Sequence, residues 1–598
     1  MQKNFVFFNV IIQDPSAHLF RIQCTLTSPD TAGQKFSLPS WIPGSYLMRE
    51  FAKNIIAIQA YSKSKPILLK KIDKDTWQCE PCEDTLTIEY DIYAWDLSLR
   101  AAYLDSHGGF FNGTSLFLRP HALEDYSYQV QIEPPQALLA NPCRLHTAMS
   151  ATQIDENGFG RYQADNYDEL VDHPVLFGNL EESAFYAGDT QHRLIIIGKH
   201  RGDIRRLTKD LTQLCEQQIQ FFDTPAPFVN YTFLLRLEDD GYGGLEHRAS
   251  SALICKPSSL PLPHEEEITE NYRTLLGLFS HEYFHAWNIK QLKPKSFTPY
   301  DFNKENYTDL LWFFEGFTAY YDDLFLLRAK LITPESYLQL LGKIISTLLQ
   351  TPGRLKQAVA DASFDAWIKF YRPDENSANA GVSYYIKGSV VALALDFTIR
   401  QATHHQKSLD DVMRTLWKQY QQGNTEGLDE SDIIKAAEDV AGTNLSAFFA
   451  SLVHGTEDLP WKNLFAPFGI ACELREQETA QSKKSAVYIG AKIKHEEHSS
   501  ALSLSYLTTN GPAQKAGLCA GDTLVAFDNL RVSSANFDAL LSRYQSSDIL
   551  KVHYFRRGRL FCADLVLEKK PKDVCTLTIA KDVSEKTKDL RQKWFSGN

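Results

Sequence analysis

GLFSHEYFHAWNIK, residues 277–290, sets His281 and His285 four residues apart with Glu282 between them. On an α-helix that spacing is just over one turn, so both imidazoles leave one face and can share one small cation. Glu282 then points to one side, toward a water on the cation, as in the H-E-x-x-H pattern that binds zinc. A chance match on a solvated helix would have polar neighbours. Here they are Leu275, Leu276, Leu278, Phe279, Tyr283, Phe284, Ala286 and Trp287, which predicts a helix buried nearly all round. Ionisable groups are seldom buried without a partner, so the stretch reads as a metal site within a helical domain.

A third ligand is sought downstream. TDLLWFFEGFTAYYDDLFLLRAK predicts a second helix, with Thr308 as a candidate N-cap and Glu315 among Trp312, Phe313, Phe314 and Phe317. A carboxylate in that setting needs a strong partner. Glu305 is the rival, twenty residues after His285, but it lies in the polar segment DFNKENY, where a solvated glutamate is the simpler expectation. The environment selects Glu315. Upstream, DDGYGGLEHRASSALI places glycines at 241, 243 and 244, which allow close backbone approach. They deliver Glu246 at the start of a predicted edge strand, where a carboxylate could face substrate.

The chain has 598 residues, 43% hydrophobic and 23% charged, which bounds it to several ordinary globular domains. A net charge of −12 without basic clusters argues against nucleic acid and against an anionic membrane surface, both of which need a positive field. No run approaches 18 uncharged apolar residues, so no membrane span is expected. The N-terminus alternates like a strand and carries no cleavage-site pattern. Ten scattered cysteines are too dilute for a disulfide scaffold, and a cytoplasmic location with reduced thiols fits them best. Cys79 and Cys82 read as flanking a turn at Pro81, since a zinc ribbon would need a second such pair.

Domain organisation follows from periodicity. Residues 1–175 alternate apolar and polar in short runs such as NFVFFNVII and DTLTIEYDIYAW, predicting a β-sandwich-like domain. Two aromatic loops interrupt it, PSWIPGSYLMREF and SLRAAYLDSHGGFFNGTSLFL, and their simplest reading is packing on the next domain, with a direct substrate role, for which Arg49, Arg100 and Tyr103 are available, as the alternative. Residues 176–473 turn to helical spacing after a few strands, including a long apolar helix from about 382 to 400 with Tyr384 and Tyr385 at its start. Residues 474–486 are polar and read as a linker, 487–570 as a small separate domain, and 571–598 as a C-terminal tail. Within the small domain, NGPAQKAGLCAGDTLVAFDNLRV resembles the helix, Gly-Asp turn and strand of a PDZ domain. Its expected ligand is an extended peptide or C-terminus added to the edge strand near YIGAKI; the alternative is packing within the chain.

Two histidines and a glutamate leave zinc an open position for water, and Glu282 can serve as general base and then protonate the leaving amine. A tyrosine hydroxyl near the metal would serve the oxyanion. With these residues in view, the chain resembles the glycyl aminopeptidase family of gluzincin zinc metallopeptidases that carry a C-terminal PDZ domain. The resemblance runs through PSWIPGSY, SLRAAYLD, GGLEH, HEYFHAWN, LWFFEGFTAYY, SYYIKG and the PDZ-like end. It implies a multidomain α+β chain with a thermolysin-like, mostly helical catalytic domain and one zinc ion on His281, His285 and Glu315. It further implies catalysis by Glu282 and Tyr385, with Tyr384 as the alternative oxyanion donor. Gly243, Gly244 and Glu246 would bind a peptide substrate by its free N-terminus, with preference for Gly or Ala. An endopeptidase or amidase using the same centre is the alternative enzyme. A PDZ-based scaffold with a structural metal is the alternative outside catalysis, although no further Cys or His near the motifs would close such a site.

Overall fold

The computed structural model describes residues 5–135, 143–223, 225–477, 487–495 and 501–597. The chain divides into two compact units. One comprises Met1–Thr308, Tyr321–Ile332 and Asp410–Ala436; the other comprises Asp309–Tyr320, Thr333–Leu409 and Ala437–Asn598.

The first unit opens with the expected β-domain. Strand Phe5–Asp14 turns Val6, Phe8, Val10 and Ile12 inward. It pairs antiparallel with Leu19–Leu26 and parallel with Ser127–Ile132, inside an eight-stranded sheet. Two four-stranded sheets accompany it, and rings such as Phe20, Phe111 and Phe177 fill the interior. The boundary expected after residue 175 falls inside strand Val175–Gly178, which pairs with Gly108–Phe111. Phe177 is buried there, so the β-domain keeps that strand.

A five-stranded sheet follows, in the spatial order Leu180–Ala187, Thr190–Ile197, Asn230–Leu237, Ser250–Cys255, Gly243–Glu246. Its inner strands are parallel, and helix Ile204–Phe221, capped by Asp203, connects two of them. Gly243–Glu246 is the edge strand, antiparallel to its neighbour. Glu246 stands at its end rather than its start. The histidine helix spans Glu270–Phe284, with Thr269 accepting from the Tyr272 N–H as N-cap. Leu275, Leu276, Phe279, Tyr283 and Phe284 are all buried, as its apolar circumference predicts. The glutamate helix, Leu311–Arg328, is continuous across the division, with its first ten residues in the second unit and the rest in the first. It begins three residues after Thr308.

In the second unit, the tyrosine helix Tyr384–Ala402 starts at an N-cap, Ser383, that accepts from the Ile386 N–H. The stretch Ser377–Ala402 is long and apolar enough to cross a bilayer, with mean hydropathy 1.3 over its most apolar 18 residues, yet 78% of that window is buried within the protein. It also carries Lys387 and Asp396, both buried, as core helices do when such groups find partners.

Two sequence boundaries are corrected here. The chain expected to be a linker from 474 is strand as far as Arg475, and residues 478–486 lie outside the described residues. The expected tail contains strand Val574–Ile579, paired antiparallel with Ile470–Arg475, and helix Glu585–Ser596. The reason is apolar burial. Cys575 and Leu577 face inward, and Trp594 is fully buried against Phe397 and Phe468. Between the two paired strands sits a domain with its own sheet and its own core, including Leu502, Leu504, Leu550, Val552 and Leu565. Helix Pro512–Lys515, a turn at Gly521 and Asp522, and strand Thr523–Phe527 follow one another there.

Candidate active site

The histidine helix ends at the site. His281 lies in its last turn and His285 at its C-cap, with ring centroids 4.7 Å apart. His281 Nδ1 meets Asp322 Oδ2 at 3.0 Å, and His285 Nδ1 meets the Asn288 carbonyl at 2.9 Å. A ring that donates from Nδ1 presents its lone pair on Nε2, the tautomer a metal ligand requires. Asn288 is held by a tight turn in which the Ile289 N–H donates to Leu292 O at 2.7 Å and the Lys290 N–H to His285 O at 3.1 Å. Ile289 has φ +98°, a costly conformation for a β-branched residue. The strain sits beside a histidine that must be aimed.

Asp322 comes from the glutamate helix. Burial raises its carboxyl against the opposing pull of His281, and burial together with the Asp322 charge pushes Asp323 up to about 8. Seven residues before Asp322, and so near the same face two turns away, the same helix carries Glu315, only 2% exposed. His281, His285 and Glu315 offer ligand atoms that all lie within 4.8 Å of one another. Glu305 lies in an irregular segment and belongs to no such group among the described residues.

Glu282 and Glu246 form the other half. With His285 they too offer atoms all within 4.8 Å of one another. Both are buried. Gly244 is what admits Glu282, because a Cβ at that position would lie 2.2 Å from Glu282 Oε1 and 2.3 Å from its carboxyl carbon. The neighbouring Gly243 adopts φ +145°, which favours glycine. Gly44, at φ +89°, approaches Glu246 in the same way: a Cβ there would be 2.6 Å from each carboxylate oxygen. Glu246 Oε1 is buried with no hydrogen-bond partner among the described residues, and an unpaired buried carboxylate oxygen is costly.

The tyrosines belong to the second unit. Tyr384 is fully buried and Tyr385 half-buried, their rings stacked with centroids 4.8 Å apart. Burial, with Tyr371 and Glu315 nearby, holds the Tyr384 phenol well above its ordinary value. Gly388 explains the glycine of SYYIKG. A Cβ on it would be 2.5 Å from Trp312 O and 2.8 Å from the Cα of Gly316. Two glycines thus let the tyrosine helix cross the glutamate helix next to Glu315.

Four further residues stand around the site, and only Arg100 among them is singled out in the sequence. Asp322 orients His281. Gly44 belongs to the first aromatic loop and touches Glu246, and Arg100 of the second donates to Gly244 O at 3.0 Å. Both loops therefore reach the site as well as packing. Asp172 binds His247 Nδ1 at 3.0 Å, Arg248 Nε at 3.0 Å and Lys290 Nζ at 2.8 Å. Burial opposes its charge, yet Lys290, His247 and Arg248 hold its carboxyl well below the usual range. It ties the residues after Glu246 to the turn after His285. Of these, Arg100 carries a sequence signal as a cation in an aromatic loop, and Asp322 another, an acid two turns along from a proposed ligand.

Comparison with known proteins adds independent findings. The model of the peptidase M61 N-terminal domain matches residues 8–179, and that of M61 glycyl aminopeptidase matches 274–391. A crystal structure of an aminopeptidase N family protein from Idiomarina loihiensis is 36% identical at TM-score 0.93, covering 99% of this chain and all of that one. An M1 zinc metallopeptidase from Deinococcus radiodurans aligns at TM-score 0.48 and 11% identity, over 77% of this chain and 95% of that one. No curated protein matches.

Proposed function

Because the chain carries peptidase M61 (glycyl aminopeptidase) family domains and is 36% identical over 99% of its length to an aminopeptidase N family protein, we propose that it is a zinc aminopeptidase removing the N-terminal residue of peptides. One zinc ion would be held by His281, His285 and Glu315. The donor set fits: two imidazoles engaged at Nδ1 and one buried carboxylate are zinc ligands that leave a position open. Bound there, zinc supplies Lewis acidity, which brings the pKa of a water toward about 7 and polarises the scissile carbonyl.

The chain's own residues do the rest. Glu282 takes the proton of the attacking water and delivers it to the departing amine nitrogen, which is a poor leaving group until protonated. Tyr385, the less buried tyrosine, donates to the carbonyl oxygen as it gains charge. Glu246 pairs with the substrate's α-ammonium, in the space to which Gly243 and Gly244 give the backbone access. The observation that carries this reading is the buried, unpartnered Oε1 of Glu246 beside Glu282 and His285. Gly44 packs against the same carboxylate, where a Cβ would lie 2.6 Å from each oxygen.

Preference for Gly and Ala rests on the family. A cytoplasmic location is the reading that suits ten cysteines scattered along the sequence. The domain at 487–570 is read as PDZ-like, taking an extended peptide along strand Ala491–His495, an outer strand of its sheet.

Hydrolysis of Gly-, Ala- and Leu-anilides with and without a chelator tests the metal and the preference. Glu282→Gln is expected to lower kcat by about 10²–10⁴. Glu246→Ala should cost far more turnover on a free-amine peptide than on the same peptide with its amine blocked. Equal losses on both would refute the amine anchor.

A further inference from the structure

Asn379 lies in the short helix Ser377–Ala380, just before the tyrosine helix, and is 3% exposed. Its side chain is spent almost wholly on the domain at 487–570. Nδ2 donates to Leu507 O at 2.7 Å, while Oδ1 accepts from Tyr506 OH at 2.8 Å and from the Thr509 N–H at 2.8 Å. The second Nδ2 hydrogen reaches Asn376 Oδ1 at 3.1 Å. A main-chain acceptor on one side and a main-chain donor on the other fix which way the amide faces, and all its capacity is used.

From Asn379 the chain runs directly to the catalytic tyrosine. Ala380, Gly381 and Val382 lead to Ser383, the N-cap, and then to Tyr384 and Tyr385. The opposite side of this segment is also clamped. The Val382 N–H donates to Gln357 Oε1 at 3.1 Å, and a Cβ on Gly353 would lie 2.1 Å from Gly381 O. Releasing Asn379 removes one of two jaws from a six-residue run that ends at Tyr385.

We propose that Asn379 is a positioning residue through which the C-terminal domain sets Tyr385, making that domain a working part of the catalytic unit. The inference rests on Tyr385 as oxyanion donor. Oxyanion stabilisation depends on donor placement, and a displacement of about 1 Å costs on the order of a hundredfold. The cost falls on kcat, because the oxyanion exists only in the transition state.

The test is a pair of double-mutant cycles on the full-length zinc enzyme with a glycyl anilide. Asn379→Ala is expected to lower kcat by about ten- to a hundredfold, with KM changed by less than about threefold. Tyr506→Phe removes a single donor from Asn379 and should lower kcat a few-fold; it decides the matter if Asn379→Ala fails to fold. In a Tyr385→Phe background neither substitution should reduce kcat further. The same factors in both backgrounds overturn the positioning role and leave Tyr385's own role standing. Full kcat in Tyr385→Phe alone removes the oxyanion reading, and this proposal with it.

Discussion

Gly244 is where a missing side chain makes room for the proposed general base, Glu282. The edge strand can pass Glu282 only because position 244 ends at a hydrogen, so adding one methyl forces the carboxylate to move. Gly244→Ala is expected to lower kcat by about tenfold or more, with far-UV circular dichroism unchanged. A second residue-scale prediction concerns His192, which accepts from Tyr283 OH at 2.8 Å with Nε2 and uses Nδ1 on Thr190 O. Burial, partly offset by the Thr190 carbonyl, pushes its pKa from 6.5 down to about 4. Below pH 6.5 the unfolded chain binds a proton that folded His192 refuses until about pH 4, so stability falls as pH drops through that window. The loss is on the order of 3 kcal/mol. His192→Gln keeps an acceptor for Tyr283 and cannot charge. Its urea midpoint should therefore decline less between pH 6.5 and 4.5 than that of the parent.

At the scale of elements, two helices carry the proposed metal ligands, and both are legible in the sequence because their polar residues stand out against apolar surroundings. His281, Glu282, His285 and Glu315 are four such residues. Asp322 belongs to the same logic, but its meaning depends on which face of one helix meets the other, and helical spacing cannot say that. Asp322→Ala is expected to weaken zinc binding by about ten- to a hundredfold, measured by competition with a chromogenic chelator, because His281 loses the group that orients it. The contacts of Gly44 and Arg100 are hidden for a different reason. They join residues roughly 150–200 positions apart, and no local pattern records such a pairing. The segment VCTLTI reads as tail in the sequence for the same reason. It is short, follows a run of lysines, and its partner strand lies about a hundred residues earlier.

At the scale of the molecule, the topology of the C-terminal domain settles how it can be removed. The chain enters along Ile470–Arg475 and returns along Val574–Ile579, and Arg475 is paired directly with Val574. Cutting the chain short before the return strand would strip away a sheet partner and also the helix that buries Trp594, whose indole donates to Tyr320 OH at 3.2 Å. Trp594 is a foundation of the helical core, so such a truncation tests folding and not the role of the domain. Scarless excision is open instead. A two-residue Asn-Gly turn joins paired antiparallel residues, so replacing 476–573 with Asn-Gly turns the entry and return strands into an ordinary hairpin. The shortened protein should fold with the parent's tryptophan emission, since all nine tryptophans lie outside 476–573, and its kcat should fall at least as far as that of Asn379→Ala. Two neighbouring positions thus make a detachable module out of a stretch that linear order would have placed in the middle of the fold's end.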